Sequence, residues 1–306
     1  MKIALTGATG FVGRYIIRQL VGSGHSLRCW YRPTSDRSGL ESDASSIDWL
    51  EGELGNQQAT EALVTGCDAV IHAALYHVGQ NFLRSEGDVI EFVEKNVVGT
   101  LKLIEAARKA DVERFVFIST CAVYDKILPY RPLDEAHPLW PNSHYGAHKA
   151  AIEKFVHSYG YNMRYPICAL RPTGVYGVAH PAQDSKWFDL VTAVANGESV
   201  TCKRGGKETH AADVAKAVEV LLQAPAEKIT GESFNCCDLY VSEWDVAHMA
   251  KRFSGSSAEI RGKQTVPQNQ IVTEKLRGLQ VTFGGQALLE ETIREIVAYP
   301  GGQLRA

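Results

Sequence analysis

The stretch Thr6–Gly13, "TGATGFVG", decides how the rest of the chain is read. It follows the apolar run Ile3-Ala4-Leu5, which has the length and composition of a short buried strand. It runs into a segment in which Val12, Ile16 and Leu20 recur at helical spacing, ended by Gly22 and Gly24. A strand, a glycine turn and a helix N-terminus together make an anion site. Glycine lets the backbone turn tightly and approach a phosphate, while the unpaired first-turn amides and the helix dipole favour negative charge. Gly7, Gly10 and Gly13 are spaced G-x-x-G-x-x-G, one residue wider in the first step than the G-x-G-x-x-G of most dinucleotide sites.

Outward from this turn, strand-like runs at 26–31, 47–50, 69–72 and 114–119 alternate with helical patterns at 57–64 and 89–107. A helix up to about residue 159 and a strand at 167–170 continue the rhythm. This pitch predicts a doubly wound parallel sheet of Rossmann type, covered on both faces, over residues 1–173. Residues 174–306 are less regular, with helices expected at 186–195, 212–223, 242–253 and 287–297. They predict a smaller substrate lobe, some of whose segments return to the sheet domain. In the 89–107 helix, Val93, Val97, Leu101 and Ile104 form one stripe, which suits either the sheet or a second helix pair.

Composition narrows the partners. With 306 residues, 45% hydrophobic and a net charge of −3, the chain has no basic field for nucleic acid or anionic lipid. No apolar run approaches the roughly 18 residues of a membrane span. The passage from Met1 straight into the glycine motif predicts no secretory leader. The seven cysteines form no C-x-x-C pair, which predicts reduced thiols in the cytoplasm, no disulfide framework and no metal site.

The end of the second strand bears on the cofactor. NAD sites usually place a carboxylate there for the ribose hydroxyls. Here "CWYRPTSD" puts Tyr31 and Arg32 at that point, with no acid before Asp36. A guanidinium suits a 2′-phosphate, so NADP is expected over NAD.

Two further segments carry chemistry. "STCAVY" (119–124) closes the fifth strand, and "YGAHK" (145–149) opens a helix. Tyr145 and Lys149 are four residues apart and share a helix face. A phenol is a poor acid–base group at neutral pH, and a nearby ammonium would lower its pKa. With the Thr120 hydroxyl, the pair suits proton transfer at a carbinol or carbonyl, coupled to hydride transfer with a nicotinamide.

These features together resemble the extended, or atypical, short-chain dehydrogenase/reductase superfamily and its NAD(P)-dependent epimerase/dehydratase family. "NVVGT" (96–100), "LRPTGVYG" (170–177), "HAADVAKAV" (210–218) and "TEKLRGL" (273–279), the last like the family's closing helix, extend the similarity. The resemblance implies a catalytic triad of Thr120, Tyr145 and Lys149. It implies a cofactor site of Gly7, Thr9, Gly10, Phe11, Val12, Tyr31, Arg32, Glu53, Leu54, His72, Ala73, Ala74, Asn96 and Pro172, joined by Tyr145 and Lys149. For a small-molecule substrate it implies Thr120, Cys121, Lys203, Arg204 and His210, and for assembly a homodimer through the 89–107 and 145–159 helices. His148 departs from the small hydroxyl residue usual at its position and is read as a packed or solvated helix histidine.

Among reactions, the resemblance favours a nucleotide-sugar 4-epimerase. A reductase of a small ketone or aldehyde is the alternative, supported by Arg32 and by "YRPTSDRSGL" (31–40). A non-catalytic NADP-binding regulator would be expected to lack the tyrosine or lysine. The Asp-Glu pair of 4,6-dehydratases is replaced by Cys121 and Ala122, which cannot act as acid and base. Two departures weigh against an epimerase: Gly206 stands where its arginine is expected, and Thr173-Gly174 where an asparagine often lies.

Overall fold

The computed structural model describes residues 1–79 and 87–299. In chain order the elements are β1 (Lys2–Thr6), α1 (Phe11–Gly22), β2 (Ser26–Tyr31), β3 (Ile47–Glu51), α2 (Gln57–Val64) and β4 (Ala69–His72). Then come α3 (Val89–Val93), α4 (Gly99–Lys109), β5 (Arg114–Ile118), α5 (His144–His157), β6 (Ile167–Pro172), β7 (Gly174–Tyr176) and α6 (Phe188–Ala195). The chain continues through β8 (Val200–Cys202), β9 (Gly205–His210), α7 (Ala211–Gln223), α8 (Ala226–Ile229), β10 (Glu232–Cys236) and β11 (Leu239–Ser242). It ends with α9 (Glu243–Ser254), β12 (Ile260–Gly262), α10 (Glu274–Arg277) and α11 (Gly285–Ala298). No helix among the described residues is long and apolar enough to cross a membrane.

The chain divides into two units. The first comprises Met1–Pro172, Val214–Cys236 and Ile271–Val281. Its seven strands are ordered β10-β6-β5-β4-β1-β2-β3, all parallel. Residues of one parity, such as Ala4, Val70, Phe115, Phe117, Ile167 and Ala169, pack under α2, α4 and α5. Those of the other parity, including Ile3, Leu5, Cys29, Ile71 and Val116, are also fully or almost fully buried. Burial on both faces is why these strands read as apolar runs rather than as alternating patterns. The chain runs from β1 to β2 on one side and places β4 on the other. The carboxyl ends of β1 and β4 therefore flank the switch point where open α/β sheets bind ligands.

Two expectations are revised here, and one strand was missed. The seventh strand, β10, was not legible as a strand; its Ser233, Phe234 and Asn235 are buried beside β6. The 89–107 helix is interrupted by a π-helical turn, Glu94–Val98. The segment 273–279 forms only the single turn of α10, and the closing helix is α11.

The second unit comprises Thr173–Asp213, Cys237–Gln270 and Thr282–Ala306. It has a three-stranded sheet, β11-β9-β7, and a two-stranded one, β12-β8. Its core gathers Tyr176, Val191, Cys202, Val246, Met249, Leu289 and Ile293 under α6, α9 and α11.

Candidate functional site

The glycine turn is built as its spacing demands. Gly7 has φ +75, a conformation that disfavours a side chain, and a Cβ there would lie 2.6 Å from the Ala73 carbonyl carbon. A Cβ at Gly13 would fall on the Gly7 carbonyl oxygen. The three glycines thus let α1, its turn and the end of β4 pack backbone to backbone. Gly10 is the N-cap of α1 and supplies no side-chain cap, so the first-turn amides of Phe11 and Val12 keep their hydrogen bonds for a ligand.

Beside this turn lies a cavity of about 250 Å³, lined by Gly7, Thr9, Gly10, Tyr31, Arg32, Glu53, Leu54, Ala73 and Ala74, all singled out from the sequence. Trp30, Ser35, Gly52, Leu75, Tyr76, His77 and Lys95 complete the lining and were missed. Trp30 lies in β2 and Lys95 in the Glu94–Val98 turn, the others in irregular segments, and only the sheet order brings them together. Phe11, Val12, Asn96 and Pro172 are not in the lining. The Asn96 amide instead clamps the Tyr76 backbone, accepting from its N–H at 2.8 Å and donating to its carbonyl at 3.0 Å. The π turn reshapes the helix where this asparagine sits, and such turns recur at functional sites.

His72 lies beneath the lining. Thr6 and Thr100 hydroxyls contact its two ring nitrogens at 2.6 and 2.8 Å, and burial pushes its pKa down to about 3. It is therefore a neutral structural partner of the turn. At the end of β2, Arg32 lines the cavity, whereas Asp36 is held elsewhere: its carboxylate accepts from the Ser38 amide at 2.9 Å and lies 3.7 Å from the Arg14 guanidinium. No acidic side chain takes up the ribose position after β2 among the described lining residues; the acid in the lining, Glu53, pairs with Lys95 at 3.3 Å. The open backbone of the turn, the free amides and this lining fit a nicotinamide dinucleotide.

One strand further along, Ser119 and Thr120 directly follow β5. The two hydroxyls diverge. Ser119 donates to the buried carboxylate of Glu153, while Thr120 hydrogen-bonds the Tyr145 hydroxyl. Tyr145 and Lys149 lie one turn apart on α5, whose N-cap Ser143 accepts from the Gly146 amide. Lys149 is 4% exposed; its ammonium donates to the Ile118 carbonyl at 2.7 Å and lies over the Phe117 ring. Burial pulls its pKa down to about 7, with the Glu153 carboxylate opposing. The expected lowering of the phenol is not what this geometry gives. Burial pushes Tyr145 up, the Thr120 hydroxyl pulls it back, and the Lys149 ammonium is turned to a backbone carbonyl instead.

His148 is packed, not solvated. Its ring meets Phe92 and Tyr145 edge-on, and burial pushes its pKa down to about 2. The Cys121 thiol donates to the Arg171 carbonyl at 3.0 Å.

The remaining substrate candidates belong to the second unit, where they are not brought together. Lys203 and Arg204 are exposed, and their backbone amides donate to Glu243 at 2.9 and 3.0 Å. His210, at the far end of β9 and roughly 20 Å of strand away, is buried against Tyr176, accepts from the Ala212 amide and is held neutral, with a pKa near 4. The two departures from the epimerase pattern share a cause. Glu208 is buried and paired with Lys186, and a Cβ at Gly206 or Gly174 would lie within 2.6 or 2.5 Å of its carboxylate oxygens. The glycines make room for that ion pair.

Residues 3–237 match the model of the NAD dependent epimerase/dehydratase family. The dTDP-D-glucose 4,6-dehydratase of Mus musculus is 32% identical over 185 residues, 58% of this chain and 51% of that protein, so the match spans about half the length of that relative. The UDP-glucose 4-epimerase of Halalkalibacterium halodurans is 30% identical over 210 residues, 65% of this chain and 60% of that protein. Among solved structures, the Thermus thermophilus UDP-glucose 4-epimerase in complex with NAD superposes with a TM-score of 0.76 at 22% identity, covering 97% of this chain and 98% of that one, a likeness of fold. The glycine turn, the β1/β4 crevice and this match over most of the chain place the protein in the NAD dependent epimerase/dehydratase family.

Proposed function

We propose that the protein is an NAD(P)-dependent nucleotide-sugar epimerase in which Tyr145 is the acid–base, Thr120 its hydroxyl partner and Lys149 its cation. The observation that carries this reading is the meeting of the Thr120 and Tyr145 hydroxyls, with Lys149 one turn on. A bound dinucleotide would supply reversible hydride transfer at a carbinol carbon. Gly7, Gly10 and the first-turn amides of α1 would hold its pyrophosphate. Tyr145 takes the proton from the substrate oxygen as hydride leaves and restores it on return. Thr120 holds that oxygen in line and favours the phenolate. Thr120 and Lys149 are buried and Tyr145 is half-buried, which limits the access of water to the transferred proton.

Relatives include dehydratases, but the thiol and methyl at Cys121 and Ala122 supply no acid–base pair for eliminating water. A reductase of a small ketone or aldehyde is a second reading, favoured by Arg32 in the cavity lining. The α3–α4 face bears on assembly. The stripe splits: Ile104 is buried in the sheet core and Leu101 packs against that core, whereas Val93 is 40% exposed and, with Ile90 and Val98 at 64% and 43%, leaves an apolar patch at the N-terminal end of this helical segment. That apolar face supports a homodimer, for which light scattering should return twice the chain mass.

The test uses UDP-glucose as the probe. Interconversion with UDP-galactose is expected, and Tyr145→Phe should lower its rate by about 10²–10⁴. A full rate in that variant removes Tyr145 from the chemistry, and no turnover of UDP-glucose or its close analogues removes the sugar assignment. Mass spectrometry of the copurified dinucleotide separates the readings. Tightly held NAD supports the epimerase, and a site that binds NADPH reversibly supports the reductase.

A further inference from the structure

The proposed chemistry leaves one buried charged cluster unused. Glu153 is wholly buried on α5, one turn beyond Lys149 and two beyond Tyr145. Its carboxylate accepts from the Ser119 hydroxyl at the end of β5, from Arg171 Nε at 2.9 Å and Nη2 on β6, and from the Ser233 hydroxyl at 3.1 Å on β10. Arg171, 1% exposed, also donates to the Tyr124 hydroxyl and, at 3.3 Å, to the Glu135 carbonyl. One carboxylate therefore ties three strand ends to the helix of the acid–base pair. One of those ends, Ser119, adjoins Thr120.

We infer that Glu153 is a positioning residue: it pins the Thr120 end of β5 to the Tyr145–Lys149 face of α5 and serves as the buried counter-charge of Lys149. This rests on the proposed acid–base cluster. A purely structural ion pair would need only Arg171, whose guanidinium already faces the carboxylate. The reach to Ser119 and the one-turn spacing to Lys149 go beyond that need. The titratable groups that interact with Lys149 are His148 and Glu153 on α5 and His72 on β4, with Tyr145 one turn back on α5. Both histidines are neutral at pH 7, and Glu153 is the carboxylate that acts on the ammonium.

The test is made on the dinucleotide-free protein, without turnover. With [13Cε]lysine labelling, and Lys149→Arg to assign the signal, the Lys149 titration is followed by NMR. Glu153→Gln keeps the size and hydrogen-bonding capacity but not the charge. It should lower the Lys149 midpoint by about one pH unit or more. Glu153→Asp, which keeps the charge, should stay within about half a unit, and Ser233→Ala, which drops one hydrogen bond only, should leave the midpoint in place. If Glu153→Gln alone fails to fold, the double variant with Arg171→Met removes the guanidinium that would otherwise lose its carboxylate, and should also titrate below the parent. An unchanged Lys149 midpoint in the folded Gln or double variant overturns the inference. The Tyr145→Phe turnover assay fails or succeeds independently of it.

Discussion

Lys149→Met should stabilise the dinucleotide-free protein at acidic pH and lose that advantage as pH rises. The ammonium is 4% exposed, and burial brings its pKa from 10.5 to about 7. At about 1.4 kcal/mol per pH unit, keeping it charged in the folded state costs up to about 5 kcal/mol below pH 7. Methionine has similar length and no charge, but it forfeits the hydrogen bond to the Ile118 carbonyl, worth about 1 kcal/mol, and leaves that oxygen unpaired. The expected net gain at pH 6 is about 2–4 kcal/mol. The sign follows from proton counting. Between about pH 7 and 10.5 the unfolded parent binds more protons at this site than the folded one. The parent's stability therefore rises with pH through that window, and the variant's gain shrinks to nothing or reverses at its top. Urea unfolding of parent and variant at pH 6, 8 and 10 measures the difference, in which the titrations common to both cancel. A difference independent of pH, or a variant less stable than the parent at pH 6, would refute the account of Lys149 as a strained buried cation. Such strain belongs where a cation must face a bound ligand rather than water.

Two other substitutions test the dinucleotide cradle. Gly13→Ala would drive a methyl group onto the Gly7 and Ala8 carbonyl oxygens. It should lower NADH and NADPH affinity at least about tenfold by fluorescence titration, with a thermal midpoint several degrees lower. Arg32→Ala should weaken NADPH binding by about 10- to 100-fold while changing NADH little, because the guanidinium would pair with the 2′-phosphate alone; equal losses for both cofactors would remove Arg32 from that role.

Much of the first unit was legible in the sequence because its information is local. Gly7, Gly10 and Gly13 declare a turn that a side chain cannot enter. The buried strands declare themselves as apolar runs, and Tyr145 and Lys149 share a face by helical spacing. Other features depend on residues far apart in the chain. Glu153 reaches Ser119 across 34 positions, Arg171 across 18 and Ser233 across 80, and no periodicity signals such a meeting. The β10 strand is recognisable only beside β6, and Gly174 and Gly206 make sense only once Glu208 lies between them with Lys186. By itself the sequence determined the glycine turn and the order of strands and helices as far as β6, and it named the hydroxyl, phenol and ammonium of the proposed cluster. The tertiary structure alone decided their electrostatics. Burial, which no local pattern measures, pushes the Tyr145 phenol up and the Lys149 ammonium down, and turns that ammonium toward a backbone carbonyl with Glu153 as its counter-charge.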